Sequence, residues 1–398
     1  MHAATAPLNE RSNNPTHLIL IKRSPLQIPY RLNNGIDEIT NLNPRRTFMD
    51  TVRINAEFFC GVDLHARTTY LCVMNREGET LLKRNIPNHF KTFKGFIDRF
   101  TGDLAVGCES TYNYYWLLDG CRDAGIPFYL GHALYMKAIS GNKKKSDPLD
   151  AATIANLMRT NYFPQAYPYP REMRATRDLF RRRTRLVRIR AESYTHTQLV
   201  MHQHAITDVK SSEVKNRKTR RALLERLEQP DVRTNVETDL DIADALDPLI
   251  ARMEERIKKQ ALYHNPKHFR MLLTIPGVGD MIALNTLYET HDIGRFRKPQ
   301  AYSSYCRVVK CQRSSAGKPS SHKNQKIGNP YLKWAYGQMA LYAIRASERI
   351  EKLYHKMERK YGTQRARARL RHKLAVAVYF MLKNNQAFDE ERFVTSSK

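Results

Sequence analysis

Glu57-Phe-Phe-Cys-Gly-Val-Asp63 is an apolar run that ends in an acid. Its length and composition predict a buried β-strand. Residues 69–75, rich in β-branched and aromatic side chains, predict a second strand, and residues 80–84 predict a third. The chain therefore begins its regular structure with strands, and an acid stands at the end of the first one.

Helical and strand-like segments alternate after this point. Phenylalanines at helical spacing predict a helix over residues 90–100, and a second apolar run at residues 104–109 again ends in an acid. A helix over residues 112–124, a short strand over 127–130 and a helix that begins at Asp147 follow. This order of elements predicts an α/β domain.

Long basic helices begin at Arg171. Arginines recur through residues 171–190 beside a narrow apolar stripe, and residues 242–257 carry a second apolar stripe at helical spacing. Two long helices with thin apolar seams predict a coiled-coil arm. The segment between them, around residues 210–218, is polar and basic, which predicts a loop.

A third region begins near Phe269. Residues 272–288 predict two helices joined by a tight glycine turn, and residues 331–346 and 367–383 predict two more helices. Residues 311–328 are rich in Ser, Gly, Lys and Gln, which is typical of a loop. The expected fold class is therefore α/β followed by all-α regions.

These changes of texture divide the chain into four expected parts. We expect a disordered tail at residues 1–48, an α/β domain at 49–165, a helical arm at 166–265 and a helical C-terminal domain at 266–398. The tail has no hydrophobic period. Met49 stands just before the first strand and is a candidate for the true start; the alternative is a basic arm that grips nucleic acid.

The composition narrows the class of partner. The 398 residues carry a net charge of +28, which favours a polyanionic partner, nucleic acid first. A membrane partner is not expected, since no apolar run approaches the roughly 20 residues of a membrane span. The six cysteines form no metal-binding pattern, and we expect buried free thiols in a reducing cytoplasm.

Four carboxylates are candidate metal ligands. Asp63 and Glu109 end two strands, while Asp147 and Asp150 open a helix in which Pro148 suits the first position and Asp147 the N-cap. If they converge on one cleft, oxygen-only ligands select Mg²⁺ or Mn²⁺, the ions used for phosphodiester displacement. Each acid alone has a simpler explanation, as a solvated turn residue, a helix cap or a dipole partner.

A serine in the Ser/Gly/Lys-rich segment is a candidate nucleophile. Ser314 and Ser315 stand beside Arg313 and Lys318, and such cations neutralise a phosphate that a hydroxyl attacks. Spacing alone favours the simpler explanation, a phosphate-binding loop or a linker.

Two further features predict nucleic-acid contacts. Gly277 and Gly279 allow a hairpin whose backbone N–H groups face a phosphate, although an ordinary helix–helix turn has the same pattern. The arginine-rich helix has few acids nearby in sequence, which favours phosphate binding over a solvated face. The arginines expected to bind are Arg181, Arg182, Arg183 and Arg185.

These motifs, taken in order, resemble the DEDD transposases of bacterial insertion sequences and the related Piv DNA invertases. The motifs are Gly-Val-Asp63, Cys-Glu109-Ser, Lys-Ser-Asp147-Pro-Leu-Asp150-Ala, Leu-Thr-Ile-Pro-Gly-Val-Gly279, Ser314-Ser315-Ala-Gly-Lys and Gly328-Asn329. The resemblance runs from about residue 58 to 388. The family usually has Gly-Gly after the serine, where this chain has Ala316-Gly317.

The resemblance implies an RNase H-like, RuvC-like N-terminal domain, a coiled-coil middle and a helical C-terminal domain with a helix-hairpin-helix-like element. It implies a four-carboxylate Mg²⁺ site and a catalytic serine, for which Ser315 matches the family position. It also implies DNA ends and a target as substrates, a bridge-type guide RNA and a location in the cytoplasm with the nucleoid. The two expected halves of the active site lie on different domains, which suggests that they meet across subunits of a homo-oligomer (dimer or tetramer).

Three functions stay open on the sequence. The first is a recombinase in which Ser315 forms a phosphoserine link to DNA. The second is a RuvC-like junction-resolving nuclease that uses water and Mg²⁺. The third is a DNA-binding protein whose acids have lost their catalytic role.

Overall fold

The predicted first strand is the centre of a five-stranded sheet. β1 (Phe58–Leu64), β2 (Thr68–Asn75) and β3 (Thr80–Pro87) pair in succession as an antiparallel meander. The turn between β2 and β3 contains Gly78, whose φ of 94° lies in the left-handed region that favours glycine. The three strands lie where the sequence predicts them, and β3 continues past the expected end at Arg84.

Two parallel strands extend the sheet on the other side of β1. β4 (Leu104–Glu109) pairs with β1, and β5 (Phe128–Gly131) pairs with β4, so the strand order is β3-β2-β1-β4-β5. This mixed sheet is consistent with the expected RNase H-like α/β fold. Because β1 and β4 are parallel, their C-terminal ends lie at the same edge of the sheet.

Helices cover both faces of this sheet. The side chains of β1 alternate, so Cys60 and Val62 pack with one set of helices while Phe59 packs with the other. Gly61 faces the second set, where an added Cβ would lie 2.1 Å from the carbonyl oxygen of Ala151. The helices are α1 (Phe90–Ile97), α2 (Tyr115–Asp123), α3 (Ala133–Ile139) and α4 (Asp147–Arg159). The sequence pattern did not predict the short α3.

Two long helices follow and pack along each other. α5 (Arg171–Gln203) and α8 (Pro230–His264) run antiparallel, because ion pairs join successive residues of α5 to successively earlier residues of α8. These pairs are Arg183–Glu254, Arg190–Asp247 and His196–Asp239.

The segment between the long helices is not the loop that its polarity predicts. It contains two short helices, α6 (Ser211–Lys215) and α7 (Arg217–Glu225). Val214 and Leu223 from these helices are buried with Met201 and Leu240 of the long pair. A few apolar residues therefore form a small separate core within a segment that is basic on average.

The C-terminal region is a helical bundle around one large core. Aromatic side chains such as Tyr288, Tyr302 and Tyr336 fill it, and Phe180 of α5 joins it. The helices are α9 (Pro266–Leu273), α10 (Asp280–Thr290), α11 (Pro299–Tyr305), α12 (Pro330–Ala346), α13 (Glu348–Tyr361), α14 (Thr363–Asn384) and α15 (Glu390–Thr395). The sequence predicts helices at α10, α12 and α14 but misses α11 and α13.

The computed structural model describes residues 53–100, 102–139, 147–309, 313–315, 318–320 and 327–396. The expected tail at residues 1–48 and the proposed start at Met49 lie outside these residues. Within them, no helix is long and apolar enough to cross a membrane. The five cysteines in these ranges are buried and free, as predicted.

Candidate active site

Asp63 and Glu109 lie beside each other at the C-terminal ends of β1 and β4. Val62 pairs with Cys108 in the parallel ladder, so the next residue on each strand is an acid. The Asp63 side chain is only 17% exposed. The strand register thus brings two of the four candidate acids to one edge of the sheet.

The first turn of α4 carries the other two acids. Asp147 and Asp150 lie three positions apart, which places them on one side of the helix start. The next residue, Ala151, has its carbonyl oxygen against Gly61 of β1. The missing side chain at Gly61 therefore lets the acidic end of α4 approach the strand that carries Asp63.

His65 joins these two elements. Its Nε2 atom lies 3.2 Å from Oδ2 of Asp63 and 3.1 Å from Oδ2 of Asp147. One ligand atom from each of the three residues lies within 4.8 Å of the others. Glu109, at the end of β4, and Asp150, in the first turn of α4, are not members of this group.

The sequence carries a signal for His65 that its acidic residues alone do not give. His65 stands two residues after Asp63 in Gly-Val-Asp-Leu-His. Residues two apart along extended backbone point to the same side. An imidazole at that spacing from a candidate ligand is itself a candidate.

The backbone of His65 is held from three directions. Its N–H donates to the carbonyl oxygen of Thr68 at 3.0 Å. Its own carbonyl oxygen accepts from Nδ2 of Asn88 at 2.8 Å and from Nδ2 of Asn113 at 2.7 Å. The turn after β1 is thereby fixed to the end of β3 and to the segment before α2.

The site fits a divalent cation. Two carboxylates and one imidazole converge, and clustered carboxylates repel each other unless a cation lies between them. The His65 Nε2 atom is buried and has no hydrogen-bond partner in the described chain, so it lacks the contact that a buried nitrogen needs. A ligand set dominated by carboxylate oxygens suits Mg²⁺ or Mn²⁺.

The segment with the candidate serine forms a small hairpin, where the sequence predicted a loop. β6 (Arg313–Ser315) and β7 (Lys318–Ser320) pair antiparallel, with Ser315 opposite Lys318. The register brings the backbone of the candidate nucleophile next to a candidate phosphate-neutralising residue. Ala316 and Gly317 lie outside the described residues.

The two ends of the serine-bearing segment are joined to each other. The N–H of Asn329 donates to the carbonyl oxygen of Tyr305 at 2.6 Å, and Nε of Arg307 donates to the carbonyl oxygen of Ile327 at 3.0 Å. Gly328 between them has a φ of 94°, and an added Cβ would lie 2.6 Å from the Tyr305 oxygen. We call this set of contacts the segment clamp.

A buried ion pair supports the clamp. Nδ2 of Asn329 donates to Oε2 of Glu289 at 2.7 Å, and Arg181 holds both carboxylate oxygens of Glu289 at 2.6 and 2.7 Å. Burial alone would lower the pKa of Arg181, but the hydrogen bonds and charge of Glu289 raise it above its usual value. Arg181 thus connects α5 to the start of α12.

Two family models match this chain. Residues 60–206 match the model of the DEDD transposases of the IS110 type, and residues 269–355 match the model of the IS116/IS110/IS902 transposase family. Together they span more than half of the chain and include both the acid cluster and the serine hairpin.

The chain belongs to the DEDD transposase family of insertion sequences.

This transposase is accordingly a DNA transposase or recombinase, an enzyme class that binds DNA. No curated protein matches it in sequence.

The arginines of α5 in the transposase have more acidic partners than the local sequence suggested. Arg181 pairs with Glu289, and Nε of Arg183 donates to Glu254 at 2.7 Å. The expectation that few acids are available was wrong for these two residues, because their partners lie far away in sequence. Arg182 and Arg185 are exposed and form no ion pair with any described acid.

A second arginine row lies on α14, in a segment for which the sequence predicted only a helix. Arg365, Arg367 and Arg369 are half-buried and form no ion pair with a described acid. Arg369 stacks on Tyr361, with its guanidinium carbon 3.7 Å from the ring centre. Several guanidinium nitrogens of Arg367 and Arg369 are buried without a hydrogen-bond partner among the described residues.

The glycine turn of the transposase joins α9 to α10 as predicted. Gly277 has a φ of 73°, and an added Cβ would lie 2.5 Å from the carbonyl oxygen of Tyr342 on α12. Nothing lies within 4 Å of a Cβ placed on Gly279. Packing therefore explains Gly277, whereas the space around Gly279 leaves room for a partner.

Proposed function

We propose that the transposase cleaves and exchanges DNA strands with Ser315 as its nucleophile and a Mg²⁺-dependent carboxylate site. Asp63, Glu109, Asp147 and Asp150 are the residues that would hold the ion, with Mn²⁺ as an alternative. Bound there, the ion would neutralise the scissile phosphate and orient its oxygens.

The serine step follows from ordinary phosphoryl chemistry. Oγ of Ser315 attacks phosphorus, and a serine–phosphate bond forms. The bond from phosphorus to the departing sugar oxygen breaks, and that oxygen takes up one proton while the serine hydroxyl releases one. Arg313 and Lys318 stabilise the phosphate charge. The hydroxyl of a partner strand then attacks the phosphoserine, which rejoins DNA and restores Ser315.

One observation carries the proposal. Asp63 and Asp147 are far apart in sequence, but one carboxylate oxygen of each lies 3.1 to 3.2 Å from Nε2 of His65, just after β1. Such convergence is unfavourable for acids that only solvate turns, because their charges repel. The ends of the serine segment are likewise held in place by buried contacts.

The remaining parts of the chain have proposed roles in binding. We infer that α5 and α8 form a coiled-coil arm, that the divisions near residues 165 and 265 are domain boundaries, and that the turn at Gly277 and Gly279 acts as a helix-hairpin-helix on a phosphate. Arg182 and Arg185 are the exposed arginines of α5 that would contact nucleic acid.

A guide RNA and an oligomer complete the proposal. The net charge of +28 suits two polyanions, DNA and a bridge-type guide RNA. The acid cluster and Ser315 lie in separate parts of the chain, so we propose that a site is completed between subunits of a dimer or tetramer.

The decisive experiment compares Ser315→Ala with the matched variant Ser314→Ala. DNA that carries the element's ends is incubated with protein, guide RNA and Mg²⁺, and covalent adducts are mapped by mass spectrometry. Ser315→Ala should lower recombination by more than about 10³-fold and abolish the adduct, because only the nucleophile is lost. Ser314→Ala should retain both, and the two variants should bind DNA equally.

Three other outcomes would replace the proposal. Loss in Ser314→Ala instead would make the neighbouring serine the nucleophile. Cleavage by wild type without any adduct, unaffected by either change, would support the water-dependent junction nuclease. Tight DNA binding with no cleavage would support a protein that has lost its catalysis.

A further inference from the structure

We propose that His65 is itself a ligand of the metal ion, and that its nitrogen shifts the preference of the site toward Mn²⁺ relative to Mg²⁺. This inference rests on the proposed metal-dependent function and adds a residue to it. The four-carboxylate set alone would give an oxygen-only site.

The position of Nε2 is that of a ligand atom. It lies 3.2 Å from Oδ2 of Asp63 and 3.1 Å from Oδ2 of Asp147. Neighbouring ligands of an octahedral ion with bonds of about 2.1 Å lie roughly 3 Å apart. The two separations therefore match those of atoms that share one ion.

An ordinary ion pair does not account for these contacts. An imidazole that served only to neutralise Asp63 or Asp147 would direct its N–H at a carboxylate oxygen. Neither contact has hydrogen-bond geometry, and Nε2 is buried without a partner in the described chain. The nitrogen faces the space between the two carboxylates, which a cation would fill.

The backbone that carries the ring is also fixed in place. The N–H and carbonyl groups of His65 are held by Thr68, Asn88 and Asn113 at 2.7 to 3.0 Å. Thr111 in turn donates to Oδ1 of Asn113 at 2.9 Å. A ligand on a fixed turn loses little conformational freedom when it binds an ion.

The nitrogen has a consequence for metal choice. Mg²⁺ binds oxygen ligands almost exclusively and dehydrates reluctantly, whereas transition metals accept imidazole readily. One imidazole among carboxylates therefore strengthens the binding of Mn²⁺ more than that of Mg²⁺. Zn²⁺ and Co²⁺ would gain in the same direction.

Pulsed electron paramagnetic resonance of the Mn²⁺-loaded full chain tests the ligand directly. The wild type should show coupling of Mn²⁺ to one histidine nitrogen, and labelling of histidine with ¹⁵N should change that coupling. His65→Ala should lose it. The matched control His89→Ala should keep it, since His89 is an exposed residue before α1 with one long contact of 3.5 Å to Thr92.

Titration of Mn²⁺ against Mg²⁺ measures the preference. Changes around a metal ligand already cost about 10- to 100-fold in affinity, so loss of the ligand should cost at least about tenfold for Mn²⁺. His65→Gln, which offers an oxygen, should lower the Mn²⁺ to Mg²⁺ affinity ratio while keeping Mg²⁺ binding. If His65→Ala fails to fold, the His65→Gln variant still tests the role of the nitrogen.

The outcomes separate this inference from the proposed function. Mn²⁺ that binds wild type, is lost in Asp63→Asn and shows no nitrogen coupling would overturn the role of His65 and leave the carboxylate site standing. An unchanged affinity ratio in His65→Gln would also overturn it. A wild type that binds no Mn²⁺ would overturn both.

Discussion

The two arginine-rich helices of the transposase differ in how their positive charge is balanced. On α5, Arg181, Arg183 and Arg190 pair with acids from α10 and α8. On α14, Arg365 and Arg367 form no ion pair within the described chain. The two rows look alike in sequence, but much of the first is neutralised within the fold, whereas Arg365 and Arg367 of the second have no acidic partner among the described residues.

A count of arginines in the sequence therefore does not locate a nucleic-acid surface. The acids that neutralise the arginines of α5, such as Asp247 and Glu289, are distant from α5 in sequence. A phosphate contact requires a cation that is accessible and not already bound. We therefore expect α14 to contribute more to the salt dependence of DNA binding than the paired arginines of α5.

The largest effect is expected from Arg181→Gln. Glu289 has a side chain only 1% exposed and would remain as a buried charge without its cation. Breaking such a pair costs about 3 to 5 kcal/mol, so the denaturation midpoint should fall clearly. Adding Glu289→Gln should restore much of that loss. The control Arg182→Gln should unfold like wild type, and equal behaviour of the two single variants would contradict the assignment.

The next effect is on DNA binding, in a variant with Arg365, Arg367 and Arg369 changed to Gln. Each lost phosphate contact lowers the slope of log affinity against log salt by about 0.7 to 0.9, or roughly 2 to 3 for all three. Fluorescence anisotropy at several salt concentrations measures the slope. If this variant shows the wild-type slope, α14 does not contact DNA, and the proposed contrast between the arginines of α5 and α14 fails.

The smallest effect separates paired from unpaired arginines within α5. Changing Arg183 and Arg190 to Gln should cost about 1 kcal/mol or less for each partly exposed pair and leave the salt slope unchanged. Changing Arg182 and Arg185 should leave stability unchanged and lower the slope by about 0.7 to 0.9 per contact. If the two double variants behave alike in stability and in salt slope, ion pairing does not decide which arginines bind DNA.

Local patterns were enough to predict most elements of the sheet. The apolar run before Asp63 and the shorter run before Glu109 both became strands, because length, burial and β-branched residues act within a few positions. The small helices α6 and α7 were missed, since their few apolar residues are buried only by contacts with Met201 and Leu240. Such tertiary burial is not visible in a local window.

The candidate site shows the same limit. The acids could be proposed from their places at strand and helix ends, but their closeness depends on Gly61 and the approach of α4. His65 required the extended spacing after Asp63 to be considered for nitrogen as well as oxygen ligands. The β6–β7 hairpin was read as a loop because Ser, Gly and Lys dominate its composition.

The segment clamp has a consequence for how this enzyme can change. Hydrogen bonds between Tyr305 and Asn329, and between Arg307 and Ile327, close the chain across the residues that carry Ser315. Once such ends are fixed, doubling the length of the connection costs only about 0.6 kcal/mol. We therefore expect insertions, deletions and substitutions inside the segment to leave the surrounding bundle intact. A mobile element under selection could then vary the segment that carries the proposed nucleophile without rebuilding the scaffold that presents it.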